Sequence, residues 1–260
     1  MHASSQKILE STSDFFSSLS FLQTSIDLIL PPVCNLCRRD LEETDRSLGL
    51  CGDCRESLLV CEKSFCTRCG HHNSVVSAES LCPQCAGAQY PYSHVFTLGP
   101  YEKVLRTAVL QTKFPDGHPL AESLGRLLAS MHEEAMRSFA PDIILAIPMH
   151  WVRRFKRGVN GPDAMAAAIR RYLGVGSCRR TLIRNRVTAA QIHLGKLNRK
   201  KNLRGAFRVR LKKGVVGARI LLDDDVLTTG ATCSEAARVL RGAGAADIAV
   251  AVLSRASVNA

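Results

Sequence analysis

The sequence predicts an α/β protein: a parallel sheet flanked by helices, preceded by a small four-cysteine zinc-ribbon domain. Three observations predict it. Eight of the 11 cysteines fall in four CxxC pairs between residues 34 and 85. Beyond residue 88, apolar runs of strand length alternate with stretches of helical period. One of those runs, "LLDDDVLTTGAT" (221–232), ends in three acids and a bend of threonines and glycine. With 260 residues, 46% of them apolar, the chain has material for a sizeable core.

The elements follow in order. Residues 1–13 are largely polar, and the apolar run from Phe15 to Leu30 is interrupted by Ser, Gln, Thr and Asp27. That run is too mixed to span a bilayer and resembles no secretory signal. It reads as an amphipathic helix over 14–30 that docks on the rest of the protein. Lacking Lys and Arg, it is a poor membrane-surface helix, and no membrane partner is expected.

Next come the pairs Cys34/Cys37, Cys51/Cys54, Cys66/Cys69 and Cys82/Cys85. A CxxC turn aims two sulfurs at one centre, and two such turns complete a tetrahedron. The gaps, 13 residues in the first half and 12 in the second, favour two consecutive ribbons over an interleaved pairing. A closed four-thiolate site has no open position for catalysis, so the expected zinc is structural. Thiolate sites need a reducing compartment, which favours the cytoplasm. His71 and His72 beside Cys69 are substitute ligands that four sulfurs make unnecessary, and Cys61, Cys178 and Cys233 read as small buried residues.

After residue 88, "HVFTLG" (94–99) reads as a strand, and 101–114 and 119–139 as helices. In the second helix Leu120, Leu124, Leu127, Leu128, Met131 and Ala135 keep a period near 3.6, and Pro119 suits its first turn. "DIILAIP" (142–148) and "ARILLDD" (218–224) have the continuous apolar character of buried parallel strands. "PDAMAAAIRRYL" (162–173) is a helix. Another spans 232–245, with Thr232 as N-cap and Glu235 closing a capping box. "DIAVAVLSR" (247–255) is the last strand, and much of 184–213 reads as a loop or flap.

The formal charge of +12 is concentrated. Residues 151–213 hold 19 Lys and Arg against one acid, Asp163, whereas the remainder is net acidic. This is either a solvated basic face or a surface that meets phosphates.

The stretch at 221–232 is neither a P-loop nor a dinucleotide fingerprint, since it has no GxxxxGK[ST] and no GxGxxG. It is a strand, acids, a small turn and a helix. Backbone N–H groups of such a turn, together with a helix N-terminus, cradle phosphate. Thr228, Thr229 and Thr232 add hydroxyls, and Gly230 permits close approach. Asp224 and Asp225 suit vicinal hydroxyls. A simple capped turn would explain Thr232 but not the acids.

This stretch resembles the phosphoribosyl-pyrophosphate (PRPP) motif of type I phosphoribosyltransferases. The wider chain, over about residues 28–255, is similar to the ComF family, the competence-protein-F and GntX-like phosphoribosyltransferase homologues. "PPVCNLC", "LCGDC", "YEKVLRTAVLQTKF", "RRFKRGVN" and "RNRVTAAQIHLGKLNRKKNLRGAF" carry that similarity. The resemblance implies a phosphoribosyltransferase fold behind a double zinc ribbon, divided as 1–30, 31–88 and 89–260. It implies that Asp224 and Asp225 hold the ribose, that Thr228, Thr229, Gly230, Ala231 and Thr232 hold the 5′-phosphate, and that Met149 to Asn160 form the pyrophosphate side. The segment around Arg184, Thr188, Gln191, Arg199 and Asn202 would close over PRPP with its magnesium. The chain departs from the family at Asp223, usually apolar, and at "RGVNG" (157–161), where the family has RGFNQ.

Pyrophosphate displacement from C1 needs a neutralised leaving group, for which Arg153, Arg157, Arg184 and Arg199 are candidates. With Asp224 and Asp225, Arg184 and Arg199 are the residues expected to carry catalysis. No acceptor site is visible, and the chain opens Met1-His2, without the N-terminal nucleophilic Cys of a glutaminase. Three functions fit: a PRPP-dependent transferase with an unidentified acceptor, a PRPP-fold protein that handles single-stranded DNA, and a zinc-ribbon scaffold.

Overall fold

The computed structural model describes residues 31–59, 65–72, 82–85, 87–149, 161–176, 181–186 and 203–256. The helix expected over 14–30, the arginines 153, 157 and 199, and Asn160, Thr188, Gln191, Asn202, Cys61 and Cys178 lie outside them. Contacts divide the chain into two compact units, Met1–Cys51 and Gly52–Ala260.

In the first unit, a turn at Cys34–Cys37 is closed by the bridge between Val33 and Asp40. A single 3-10 turn, Glu43–Asp45, follows. The second unit opens with α1 (Gly52–Leu59). The α/β region then runs β1 (His94–Pro100), α2 (Lys103–Gln111), α3 (His118–Met131), α4 (Glu133–Phe139), β2 (Ile143–Ala146) and α5 (Gly161–Leu173). It continues through β3 (Leu182–Arg184), β4 (Phe207–Val209), β5 (Arg219–Leu227), α6 (Ala231–Gly242) and β6 (Asp247–Arg255).

Strands β1, β6, β5 and β2 form a parallel sheet in that order. Strands β3 and β4 form a separate antiparallel pair, β3 ending where the stretch expected to be largely loop begins and β4 lying in its "GAFRVRL" part. The two central strands carry the core: β6 has one residue of nine that is not buried, and Ile220, Leu221 and Leu222 of β5 have no exposed surface, whereas its Asp224, Asp225 and Val226 are half-buried. This is why both read as unbroken apolar runs rather than as alternations. One face of the sheet packs Ile220, Leu222, Ile248, Val250 and Val252 against Ala236, Ala237 and Leu240 of α6.

On the helical side, α3 and α5 approach closely at Gly125, where a Cβ would meet the Met165 carbonyl oxygen at 2.9 Å. The 119–139 stretch is two helices instead of one. The chain turns at His132 (φ −113°, ψ 23°), and the half-buried His132 Nε2 bonds the Thr97 carbonyl of β1 at 2.9 Å. That tertiary bond competes with helix continuation, which the apolar period alone favours. No helix among the described residues is long and apolar enough to cross a membrane.

Candidate functional site

The parallel sheet brings the ends of β2 and β5 to one edge, where open α/β sheets bind ligands. Within β5, alternation places Asp224 on the α6 side with Ile220 and Leu222. Asp224 Oδ2 is 4.0 Å from the thiol of Cys233 in the first turns of α6. Asp223 and Asp225 point to the other face, where Asp225 Oδ2 pairs with Lys113 Nζ at 3.0 Å. The two acids therefore straddle the strand immediately before the bend. Backbone groups steady both: the Asp225 N–H donates to Asp224 Oδ1 at 3.0 Å, and the Val226 N–H donates to Asp225 Oδ1 at 2.7 Å.

Asp224 keeps some surface open to solvent but is closely surrounded. Burial, then the neighbouring charge of Asp225, pushes its carboxyl up to about 8, against the opposing pull of the Asp225 N–H, Lys113 and Arg184. Asp223 is fully buried, neither oxygen has a hydrogen-bond partner among the described residues, and burial followed by the charge of Asp224 holds it well above the carboxylate range. Arg184 ends β3, with its guanidinium over the Phe207 ring at 5.4 Å and near enough to act on Asp224.

The bend is partly enclosed, with Gly230 and Ala231 buried. Thr228 and Thr229 are half-buried, and Gly230 takes the left-handed conformation (φ 72°) that turns the chain into α6. The Ala231 N–H donates to Thr229 Oγ1 at 3.4 Å. The helix begins at Ala231, with Gly230 as N-cap and no side-chain cap bond, so Thr232 lies inside the first turn. Glu235, expected to close a capping box, instead accepts the Gly205 N–H at 2.6 Å and pairs with Arg238 at 2.7 Å. A long-range partner outcompetes the local one. The positive end of α6 meets the hydroxyl-rich bend, an arrangement suited to an anion. A cavity of 590 Å³ lies along the start of α6, lined by Tyr90, Arg204, Ala231, Ser234 and Arg238 among others, and touches neither acid.

The cysteines form two clusters, Cys34/Cys37/Cys51/Cys54 and Cys66/Cys69/Cys82/Cys85, each with its sulfurs within 4.8 Å of one another. The pairing is consecutive. Sulfurs about 2.3 Å from one ion define a tetrahedron with edges of about 3.8 Å. Cys37–Cys51, Cys66–Cys85 and Cys69–Cys82 are 3.7, 3.7 and 3.8 Å apart, so both donor sets fit zinc. Bound there, zinc would supply a structural crosslink and leave no open coordination position.

Three residues at the site had no role assigned from sequence. Lys113 stands in a quoted stretch, but helical periodicity says nothing of its reach to Asp225. Tyr92 is buried, and its hydroxyl lies 3.1 Å from where a Cβ on Gly230 would sit. Arg255 is a buried arginine ending an apolar strand, and that mismatch was the available signal.

Comparison with known proteins agrees with this architecture, a double-zinc-ribbon protein carrying a parallel α/β domain. A double zinc ribbon domain model matches residues 25–86. The DNA utilization protein YhgH of Salmonella typhimurium is 33% identical over 231 residues, covering 88% of this chain and 99% of its own. Competence protein F of Haemophilus influenzae is 29% identical, covering 86% and 96%. Competence protein ComFC of Streptococcus pneumoniae is 27% identical, covering 76% and 84%. The chain belongs to this competence-protein-F (ComF/YhgH) family. Among solved structures, the allosteric regulatory enzyme of purine biosynthesis overlaps 52% of this chain and 26% of its own, at 23% identity and a TM-score of 0.36. The glutamine PRPP amidotransferase from B. subtilis gives the same coverage and identity at 0.37, so the chain spans about a quarter of either enzyme.

Proposed function

We propose that the chain binds PRPP, or a related ribose phosphate, and transfers its phosphoribosyl group to a nucleophile. The observation that carries this reading is the pair Asp224 and Asp225 straddling the end of β5, one residue pair ahead of a half-buried threonine bend at the start of α6. In this reading the carboxylates accept the ribose hydroxyls. Thr228, Thr229, Gly230, Ala231 and Thr232 hold the 5′-phosphate. Arg184, with Arg153, Arg157, Asn160, Gln191 and Arg199 from outside the described residues, meets the pyrophosphate. The acceptor's lone pair forms a bond to C1 as the bond from C1 to the pyrophosphate oxygen breaks, and pyrophosphate leaves with that electron pair. Magnesium carried by PRPP would neutralise part of the departing charge. Lys113 pairs with Asp225 at 3.0 Å and holds its side chain in place. The zinc ribbon, residues 31–88 in this division, and the transferase domain, 89–260, would work in the cytoplasm, where thiolates stay reduced.

PRPP with magnesium should raise the melting temperature of the wild type but not that of Asp224→Asn/Asp225→Asn, and pyrophosphate should be released on adding amine or base acceptors. No shift in the wild type would remove the reading.

The basic segment 151–213 and the names of the relatives favour a second role, binding single-stranded DNA. Affinity for a labelled oligonucleotide should then fall steeply with salt, log–log, in proportion to the phosphates neutralised.

A further inference from the structure

The second cysteine cluster and the bend share one guanidinium. Arg255, the last residue of β6, is only 8% exposed. Its Nε–H donates to the Cys69 carbonyl at 3.0 Å. Its Nη1 donates to the Leu227 carbonyl at 2.8 Å, to that of Thr228, and to that of Ala256 at 2.7 Å. A guanidinium is planar and rigid, so carbonyls held at its different edges are held relative to one another. Cys69 is one of the four cluster residues, so an ion that fixes its sulfur also restrains the carbonyl that Arg255 grips.

The surroundings make this link short and stiff. The cysteine turn is anchored to β1, where Thr67 accepts the Val95 N–H at 2.7 Å. Gly70 lies so close that a Cβ would meet Val95 Cγ1 at 2.8 Å, with the Arg255 stem 3.7 Å away. The far end of the bend has separate support, since the Tyr92 hydroxyl lies against Gly230. Arg255 is therefore a polar hold on the near end, at Leu227 and Thr228, beside the Ala256 N–H that donates to the Leu227 carbonyl at 3.0 Å.

We propose that Arg255 is a positioning residue that couples the second cysteine site to the bend: zinc in that site holds the bend in binding geometry, and emptying the site loosens it. That the bend receives a phosphate rests on the function proposed above; the coupling does not.

Hydrogen exchange on the ligand-free full chain tests it. Cys82→Ser/Cys85→Ser should speed exchange of amides 228–233 at least tenfold, while 220–222 of β5 stay protected. Arg255→Met, with two zinc ions still counted per chain, should speed the same amides as much. Adding Cys82→Ser/Cys85→Ser to Arg255→Met should then change them less than twofold. Unchanged exchange in either variant, or a further full tenfold in the combination, would overturn the coupling. If Cys82→Ser/Cys85→Ser also loses protection in β5, Arg255→Met decides alone: loss confined to the bend supports the proposal, and an unchanged bend refutes it. Ribose 5-phosphate titrated into the wild type is read separately. If it does not bind, the phosphate reading falls, while the exchange result still stands for or against the coupling.

Discussion

Asp223 has no exposed surface, and neither of its oxygens has a hydrogen-bond partner among the described residues. Its register neighbours are Ala146 and Ala251, which offer no side-chain donor. An unpaired buried polar group costs about 1–3 kcal/mol. Asp223→Val should therefore raise stability by about that much near pH 5, read by urea denaturation. The gain should grow toward pH 8. Native Asp223 is held protonated well above the carboxylate range. From about pH 4 upward, the unfolded chain has released this proton while the folded chain keeps it, so wild-type stability falls as pH rises. Asp224 obeys the same sign but is open to ligand. Because its carboxyl is pushed up to about 8, ionisation there gates its use as a hydroxyl acceptor. Affinity for ribose 5-phosphate should rise between about pH 7 and 9, where the phosphate is already dianionic. Calorimetry should find that rise flattened in Asp224→Asn.

At the scale of elements, helix approach and turn conformation set the limits. A Cβ on Gly125 meets the Met165 backbone, with the carbonyl oxygen at 2.9 Å and Cα at 3.0 Å, so neither helix can yield by a side-chain rotation. Gly125→Ala should destabilise the chain by about 1–3 kcal/mol, measured by its urea midpoint, as α3 and α5 are forced apart. Most elements were legible in the sequence. The strands β1, β2, β5 and β6 and the helices α2, α5 and α6 fall where apolar runs and helical periods put them, because burial imposes both patterns locally. The errors have a common cause. The break at His132, the unused capping box at Thr232 and Glu235, and the pairing of β3 with β4 each depend on a partner distant in sequence. Much of the candidate site was legible too, since acids, threonines and glycine are contiguous. Lys113, Tyr92 and Arg255 were not, because each reaches the site across a fold that periodicity does not specify.

For the molecule as a whole, the four-sulfur clusters are the features whose loss should spread furthest. Each chain should carry two zinc ions, counted with a chromogenic chelator after denaturation, and Cys66→Ser should leave one. Because the ligands must be deprotonated thiolates, both ions should be released on acidification. The second cluster makes this more than local stability. Burial pushes the Cys85 thiol up to about 11. The cluster's hold on Cys69 reaches the strand ends through Arg255.

Local sequence alone is enough to specify the metal-ligand set, the α/β class and the place along the chain where acids give way to hydroxyls. Each is written in spacing or period, which the backbone reads over a few residues. Only the tertiary structure decided that Asp225 pairs with Lys113, that Glu235 serves Gly205, and that Arg255 joins Cys69, 186 residues away, to the bend. Such pairings are chosen by which surfaces the parallel sheet brings together, and no local pattern records that choice.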